Sequence, residues 1–428
     1  MTRHRRPRTG IPRRGSTRAA AGGRVSEGPE AVGRGRPFVG EDDGGGVTRI
    51  RLRGPGDVIA TLPYHLGYQP EESLVLVCLD GSRLSFVGRI DLPPSGVDPR
   101  PIADELLAIV LRESPERVLV LGFETTPGQS APLSALVAGV LRDDGIDVPD
   151  RLAIREGRYW SLDCDGPCCP PEGQPVPEDS QVPAVADYVL LGRHPAPSRA
   201  ALDEPLRPDD DVADLLDRAL VLARRHQDAV RARPDHRTRD IPEPLGSSGS
   251  TGSTGSSGSS DLAELRRTAL TAWARLVDVR DVGGATFPDE TWLLLGGSLR
   301  DVHLRDLLIA WLCPGTLELD ALEPDLVALA LQLLPESPPG HSGTAGWGAS
   351  EEGRELVEQR LMMLCRRTPV ALSAAPLTVL ASHTWWHGNG ALTRTALDRA
   401  LQHEPDYRLA LLLERMVDLA IRPPHPAV

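Results

Sequence analysis

Three cysteines lie close together in a loop rich in proline and glycine. They are Cys164, Cys168 and Cys169. Thiolates are preferred ligands of Zn²⁺, and the three could hold a zinc ion if Asp163, Glu172 or His194 supplied a fourth ligand. The spacing differs from the usual paired CxxC pattern. Two other interpretations therefore stay open: a redox pair, such as Cys164 with Cys168, or reduced thiols with no chemical role.

A second group of polar side chains lies at or near the ends of predicted strands. Asp91 and Glu124 each follow a predicted strand, and Arg89 and His65 could join them. Ligand sites of open α/β sheets lie beyond such strand ends. These four residues are candidates for binding a small ligand. The structural alternative is that Asp91 caps a turn and that Glu124 is solvated.

The glycine-rich motifs of common catalytic sites are missing from the sequence. No GxGxxG, GxxxxGK[ST] or GxSxG pattern follows a predicted strand. Such patterns supply the usual cradles for dinucleotides, phosphates and acyl-transfer intermediates. The sequence therefore predicts no reaction or substrate, and it leaves open whether the protein is an enzyme.

Residues 54–94 contain the clearest secondary-structure signals. Asp57 is expected to cap a short helix, which Pro63 shortens or kinks. A continuous apolar run at 73–79 predicts a strand buried on both faces, and alternation at 84–90 predicts a return strand after an Asp-Gly hairpin turn. Arg89 and Asp91 would lie at the end of that return strand.

The rest of the first half alternates between helical and strand patterns. These elements are predicted at 101–112, 117–123, 132–142, 146–154 and 157–162. Such alternation is typical of an α/β domain, here with a mixed sheet and covering helices. The second half has helical periodicity without strand signals, which predicts an all-α region. Within it, residues 388–405 resemble the second helix of a tetratricopeptide-type hairpin.

Composition divides the chain into five segments. They are an Arg-rich tail at 1–46, the α/β domain at 47–195 with the cysteine loop at 163–183, connecting helices at 196–233, a flexible Gly/Ser linker at 234–260 and the all-α region at 261–424. The tail has too few large apolar residues to build a core, so we expect it to be disordered. Val47 is a candidate for the true start of translation.

The charge distribution limits the classes of partner. The 428-residue chain has a net charge of −13, although its tail is basic. An acidic folded body argues against binding to a nucleic-acid backbone, which depends on arginine and lysine. No apolar run is long enough to cross a membrane. The sequence shows neither a secretory signal nor a disulfide framework, and it therefore predicts a cytoplasmic protein.

Several motifs in order resemble an actinobacterial family catalogued as domain of unknown function 4192. They are GDVIATLPYHLGYQPEESLVLVCL near the start, RIDLP at 89–93, the cysteine segment at 164–173, LRDVHLRD at 299–306 and GALTRTALDRALQHEPDYRLALLL near the end. The resemblance covers residues 49–424. It implies a fold and a bacterial group, but no activity.

Two functions compete on this basis. The first is a non-catalytic interaction or scaffold protein that binds a protein partner through the helical C-terminal region. The second is an enzyme or small-ligand-binding α/β domain assisted by a metal or redox cysteine cluster.

Overall fold

The computed structural model describes most of the chain. The described residues are 30–32, 52–81, 83–164, 166, 169–190, 193–232, 255–280, 287–335, 351–421 and 423. Seven strands belong to one sheet: β1 (Glu30–Val32), β2 (Ser73–Asp80), β3 (Arg83–Asp91), β4 (Arg117–Phe123), β5 (Arg151–Arg155), β6 (Arg158–Ser161) and β7 (Gln174–Pro175). Their order across the sheet is β1-β3-β2-β4-β5-β6-β7.

The sheet is mixed, as predicted. Strands β4 and β5 pair in parallel, and all other neighbouring strands are antiparallel. Helix α3 (Ala131–Asp143) connects the parallel pair, which is the βαβ arrangement expected for parallel neighbours. Helix α2 (Arg100–Glu113) connects β3 to β4. Helix α1 (Pro55–Leu66) precedes β2, and α4 (Pro183–Leu190) follows the cysteine loop.

The strand register separates the two candidate sites. Ser73 lies opposite both Asp91 of β3 and Phe123 of β4, and Phe123 lies opposite Ile154 of β5. The ends of β3, β4 and β5 therefore lie at one end of the sheet. Because β6 runs antiparallel to β5, Ser161 and the cysteine loop that follows it lie at the other end.

Strand β2 lies inside the sheet, between β3 and β4, and is buried on both faces. Leu74 and Leu76 belong to an apolar cluster with residues of α2 and α3. Val75 and Val77 belong to the cluster on the other face, which includes residues of α1. This two-sided packing explains the continuous apolar run in the sequence.

The second half is helical, as predicted. Its helices are α5 (Leu216–Arg231), α6 (Gly255–Val277), α7 (Asp289–Ser298), α8 (Val302–Leu312), α9 (Pro324–Leu333), α10 (Glu351–Arg366), α11 (Ala374–Trp386), α12 (Gly390–His403) and α13 (Arg408–Asp418). Trp273 of α6 is fully buried in their common core, and its Nε1 donates to Ser298 Oγ at 3.1 Å. Helices α11 and α12 pack as a pair joined through Gly388, where φ is +78°. Their likeness to a tetratricopeptide hairpin stays a prediction.

Several local boundaries differ from the prediction. Helix α1 begins at Pro55 and continues past Pro63, and Asp57 lies in its first turn without capping it. Proline suits the first helical position because its missing N–H needs no partner there. Strand β5 begins only at Arg151, after Pro149, since proline cannot donate to a strand ladder.

The predicted tail and linker overlap partly with ordered elements. Glu30–Val32 forms the edge strand β1, while residues 1–29 and 33–51 lie outside the described residues. Helix α6 begins at Gly255 and so includes the last residues of the predicted linker. Extending an existing helix by a few residues is much easier than starting one, which allows a poor helix sequence to continue it. Residues 233–254 lie outside the described residues.

No described helix is both long enough and apolar enough to cross a membrane.

Candidate functional site

A large cleft lies between the end of the sheet and the last two helices, and it has a volume of about 1410 Å³. We call it the charged cleft. One wall comes from residues 68–72, the end of β3 and helix α2, and the other from α12 and α13. Residues 198–203, in the segment that leads from the α/β domain to the helical region, also line it.

Arg89 and Asp91 lie together in this cleft. The Arg89 side chain is buried and forms an ion pair with Asp91, whose side chain is partly exposed. Arg89 Nη2 also lies 3.5 Å from the main-chain oxygen of Glu71. The alternation of β3 places these two side chains on the same face, since they are two residues apart on a strand. The structure thus brings together two of the four predicted ligand-binding residues.

Three ion pairs build the helical side of the cleft. Arg394 pairs with Asp418, which joins α12 to α13. Arg399 pairs with Asp203, and Arg199 lies 3.6 Å from Asp398. The last two pairs fasten the connecting segment to α12. These arginines are mostly buried, and burial lowers the pKa of Arg199 to about 10 although Asp398 opposes the shift.

Negative charge exceeds positive charge along the cleft. Eight acidic and six arginine side chains line it. Burial raises the pKa of Asp398 and of Glu414, and the neighbouring Asp418 adds to the shift of Glu414. Glu414 forms no ion pair within the part of the chain that the structure describes.

Glu124 does not line the cleft, although it lies at the same end of the sheet. Its Oε1 accepts hydrogen bonds from Ser130 N at 2.8 Å and Ser130 Oγ at 2.6 Å, and Oε2 accepts from Gly128 N at 3.1 Å. Arg155 Nη1 lies 3.1 Å from the same Oε2. The buried carboxylate thus organises the loop between β4 and α3 and is not solvated. A ligand role for Glu124 stays a prediction.

His65 is also buried away from the cleft. It lies near the end of α1, where Tyr188 Oη is 3.4 Å from its Nδ1. Burial, assisted by the charge of Arg193, lowers the pKa of His65 to about 3. The ring is consequently neutral at physiological pH and packs as part of the interior.

The cysteine loop lies at the other end of the sheet from Asp91 and Glu124. Asp163, a proposed zinc ligand, instead accepts hydrogen bonds from Arg151 Nη2 at 2.6 Å and Arg142 Nη2 at 2.9 Å. Cys164 and Cys169 are partly exposed, and Cys168 lies outside the described residues. Among the described residues, no three His, Cys, Asp or Glu side chains are arranged to hold a metal ion. Zinc binding by the three cysteines stays a prediction.

A family model described as Domain of unknown function (DUF4192) matches residues 55–334 and 344–424. The chain belongs to this family. No curated protein and no solved structure gives a significant match. The matched range of the DUF4192 family includes both walls of the charged cleft, from Tyr68 to Leu419.

In this DUF4192 chain, the residues on the helical side of the cleft could not be predicted by looking for polar side chains at the ends of strands. Two of its three ion pairs join residues almost 200 positions apart, such as Arg399 and Asp203. One local signal was present in the sequence. Arg394 and Asp398, and likewise Glu414 and Asp418, are four residues apart and therefore share one face of a helix.

Proposed function

We propose that the protein binds a small polar ligand with a cationic group in the charged cleft. The observation that supports this most directly is a large cleft at the end of a sheet, lined by charged groups from both halves of the chain. Ligands of open α/β proteins commonly bind beyond strand ends and between domains.

The arrangement of charges favours a cation over an anion. Arg89, Arg394 and Arg399 are each occupied by an aspartate, so an anionic ligand would have to compete with these pairs. Glu414 has no such partner among the described residues. A cationic group next to Glu414 would offset the repulsion from Asp418 and the cost of partial burial.

Spermidine is a suitable probe because it is small, flexible and cationic. We expect it to bind the full chain saturably in an isothermal titration at low salt, and to bind more weakly as salt increases. Glu414→Gln should weaken binding by about fivefold, because it removes one charge from a partly exposed site.

Glu318→Gln is the matched control, since Glu318 is exposed and lies outside the cleft. It should bind spermidine as the unmodified chain does. Equal affinities for Glu414→Gln and Glu318→Gln would contradict the cleft as the binding site. Binding of citrate without binding of spermidine would contradict a cationic ligand.

A protein partner of the helical region is the second candidate. Leu411 and Leu412 of α13 are 41% and 62% exposed, which is unusual for adjacent leucines on a packed helix. Leu412→Glu should then abolish capture of a partner by the full-length protein. The same substitution should leave spermidine binding unchanged, which distinguishes the two functions.

We also propose that the protein works in the cytoplasm. Cys313 and Cys365 are buried free thiols in the helical core. Free thiols of this kind suit a reducing compartment.

A further inference from the structure

A second pocket lies between helices α5, α6 and α7 and shares no lining residue with the charged cleft. It has a volume of about 700 Å³, which is within the range of small-molecule sites. Its walls are largely apolar, with Val221 and Leu222 from α5, Leu265 from α6, and Leu293 and Leu294 from α7. We call it the α5–α7 pocket.

His226 lines this pocket and is 1% exposed. Neither Nδ1 nor Nε2 has a hydrogen-bond partner within the described part of the chain. Buried polar atoms of folded proteins almost always have a partner, so a ring with both nitrogens unsatisfied calls for an explanation. A neutral imidazole offers one donor and one acceptor.

Burial lowers the pKa of His226, although the charge of Asp301 opposes the shift. The ring is therefore neutral at physiological pH. The charges around the pocket are predominantly acidic, with Asp217, Asp261, Glu264 and Glu290 against Arg218 and Arg225. Apolar walls and an acidic rim disfavour an anionic ligand. A hydroxyl group can donate to one nitrogen of the neutral ring or accept from the other.

We propose that the α5–α7 pocket binds a small apolar molecule carrying a hydroxyl group, which hydrogen-bonds to His226. The apolar body of this ligand covers the leucine walls, and its hydroxyl satisfies one ring nitrogen. A water molecule could satisfy the nitrogen, but it would leave the apolar walls uncovered. This site is independent of the charged cleft and of spermidine binding.

The test compares p-cresol with p-xylene, which have nearly the same shape and differ in one hydroxyl group. Ligand-observed NMR titrations of the full chain should show saturable binding of p-cresol. His226→Phe should reduce the affinity ratio of p-cresol to p-xylene by about fivefold, because only p-cresol loses a hydrogen bond. An unchanged ratio would overturn the role of His226.

A second variant keeps the proposal testable if His226→Phe does not fold. Val221 is 63% exposed at the pocket, so Val221→Trp should fold and obstruct it. This variant should weaken p-cresol binding at least tenfold. Leu331→Trp is the matched control, because Leu331 is 69% exposed on α9 and outside the pocket. No saturable binding by the unmodified chain, or equal binding by both tryptophan variants, would overturn the proposal.

Discussion

Asp301 is a single carboxylate that stabilises two helices at once. It is fully buried, and it accepts from Arg266 Nε at 2.7 Å and Nη2 at 3.1 Å. Its Oδ1 also accepts from the main-chain N–H groups of His303 and Leu304, which caps α8. Arg266 in turn pairs with Glu323 at 2.6 Å. Asp301 therefore connects α6 to α8, and Arg266 extends the connection to the start of α9.

The substitution Asp301→Asn separates the role of Asp301 as the cap of α8 from its role as the ionic partner of Arg266. Asparagine retains an oxygen that can cap α8, but it leaves the buried Arg266 with one anionic partner fewer. We expect a loss of about 3 kcal/mol in the free energy of unfolding, measured by urea denaturation. Asp320→Asn is a control on an exposed aspartate and should change stability by less than about 0.5 kcal/mol. Similar losses in the free energy of unfolding for the two variants would contradict a buried ion pair at Asp301.

At the scale of single residues, local geometry decides which candidate side chains lie together. Arg89 and Asp91 are neighbours in the cleft because they are two positions apart on a strand and so share one face, which the sequence itself reveals. Glu124 follows a strand in the same way, yet Ser130 and Arg155 occupy its carboxylate. The pairing with Arg155 joins residues 31 positions apart on different elements, which no local pattern in the sequence reveals.

At the scale of elements, α3 approaches β4 unusually closely at one point. A Cβ atom added to Gly122 of β4 would lie 2.1 Å from Ser130 Oγ and 2.3 Å from Ser130 Cβ. Ser130 is fully buried at the start of α3 and is held by Glu124. The neighbouring loop therefore has no room to move away.

Gly122→Ala should consequently destabilise the protein by about 2 kcal/mol or more, because overpacking forces the loop to shift. Gly139→Ala is the matched control within the same domain. Gly139 lies in α3 with nothing within 4 Å of the added Cβ, so the substitution should raise stability by about 0.5–1 kcal/mol. Urea denaturation of both variants gives the comparison. Equal effects of the two substitutions would contradict the close approach at Gly122.

The type of each long element could be predicted from periodicity. The strand at 117–123 agrees with β4, and the helix at 101–112 lies one residue inside each end of α2. The order of strands could not be predicted. In the structure, β2 lies between β3 and β4 and is antiparallel to both. Hairpin signals specify neighbours that are close in sequence, whereas the pairing of β2 with β4 depends on how α2 crosses the sheet.

At the scale of the whole molecule, the segment before the predicted linker packs against the helices that follow it. Ala219 and Ala223 of α5 share a buried cluster with Leu293 of α7 and Leu372. Asp209 pairs with Arg366 of α10, and Asp203 pairs with Arg399 of α12. The connecting segment thus belongs to the helical region rather than to a free hinge.

Cutting the chain within residues 246–252 tests this arrangement. A protease site inserted there should allow complete cleavage, and the two fragments should still elute together from a size-exclusion column. They should separate only in denaturant. Fragments that separate in native buffer would show that the contacts of α5 are too weak to join the two parts.

The packing of α5 also fixes an order of events during synthesis. Nearly all core residues of the sheet lie between Ile59 and Ile154, so this core can close soon after that segment leaves the ribosome. Ala219 and Ala223 emerge later, but their partners Leu293 and Leu372 emerge later still. The native cover of α5 can therefore form only after Leu372 has been synthesised, later than the sheet core can close.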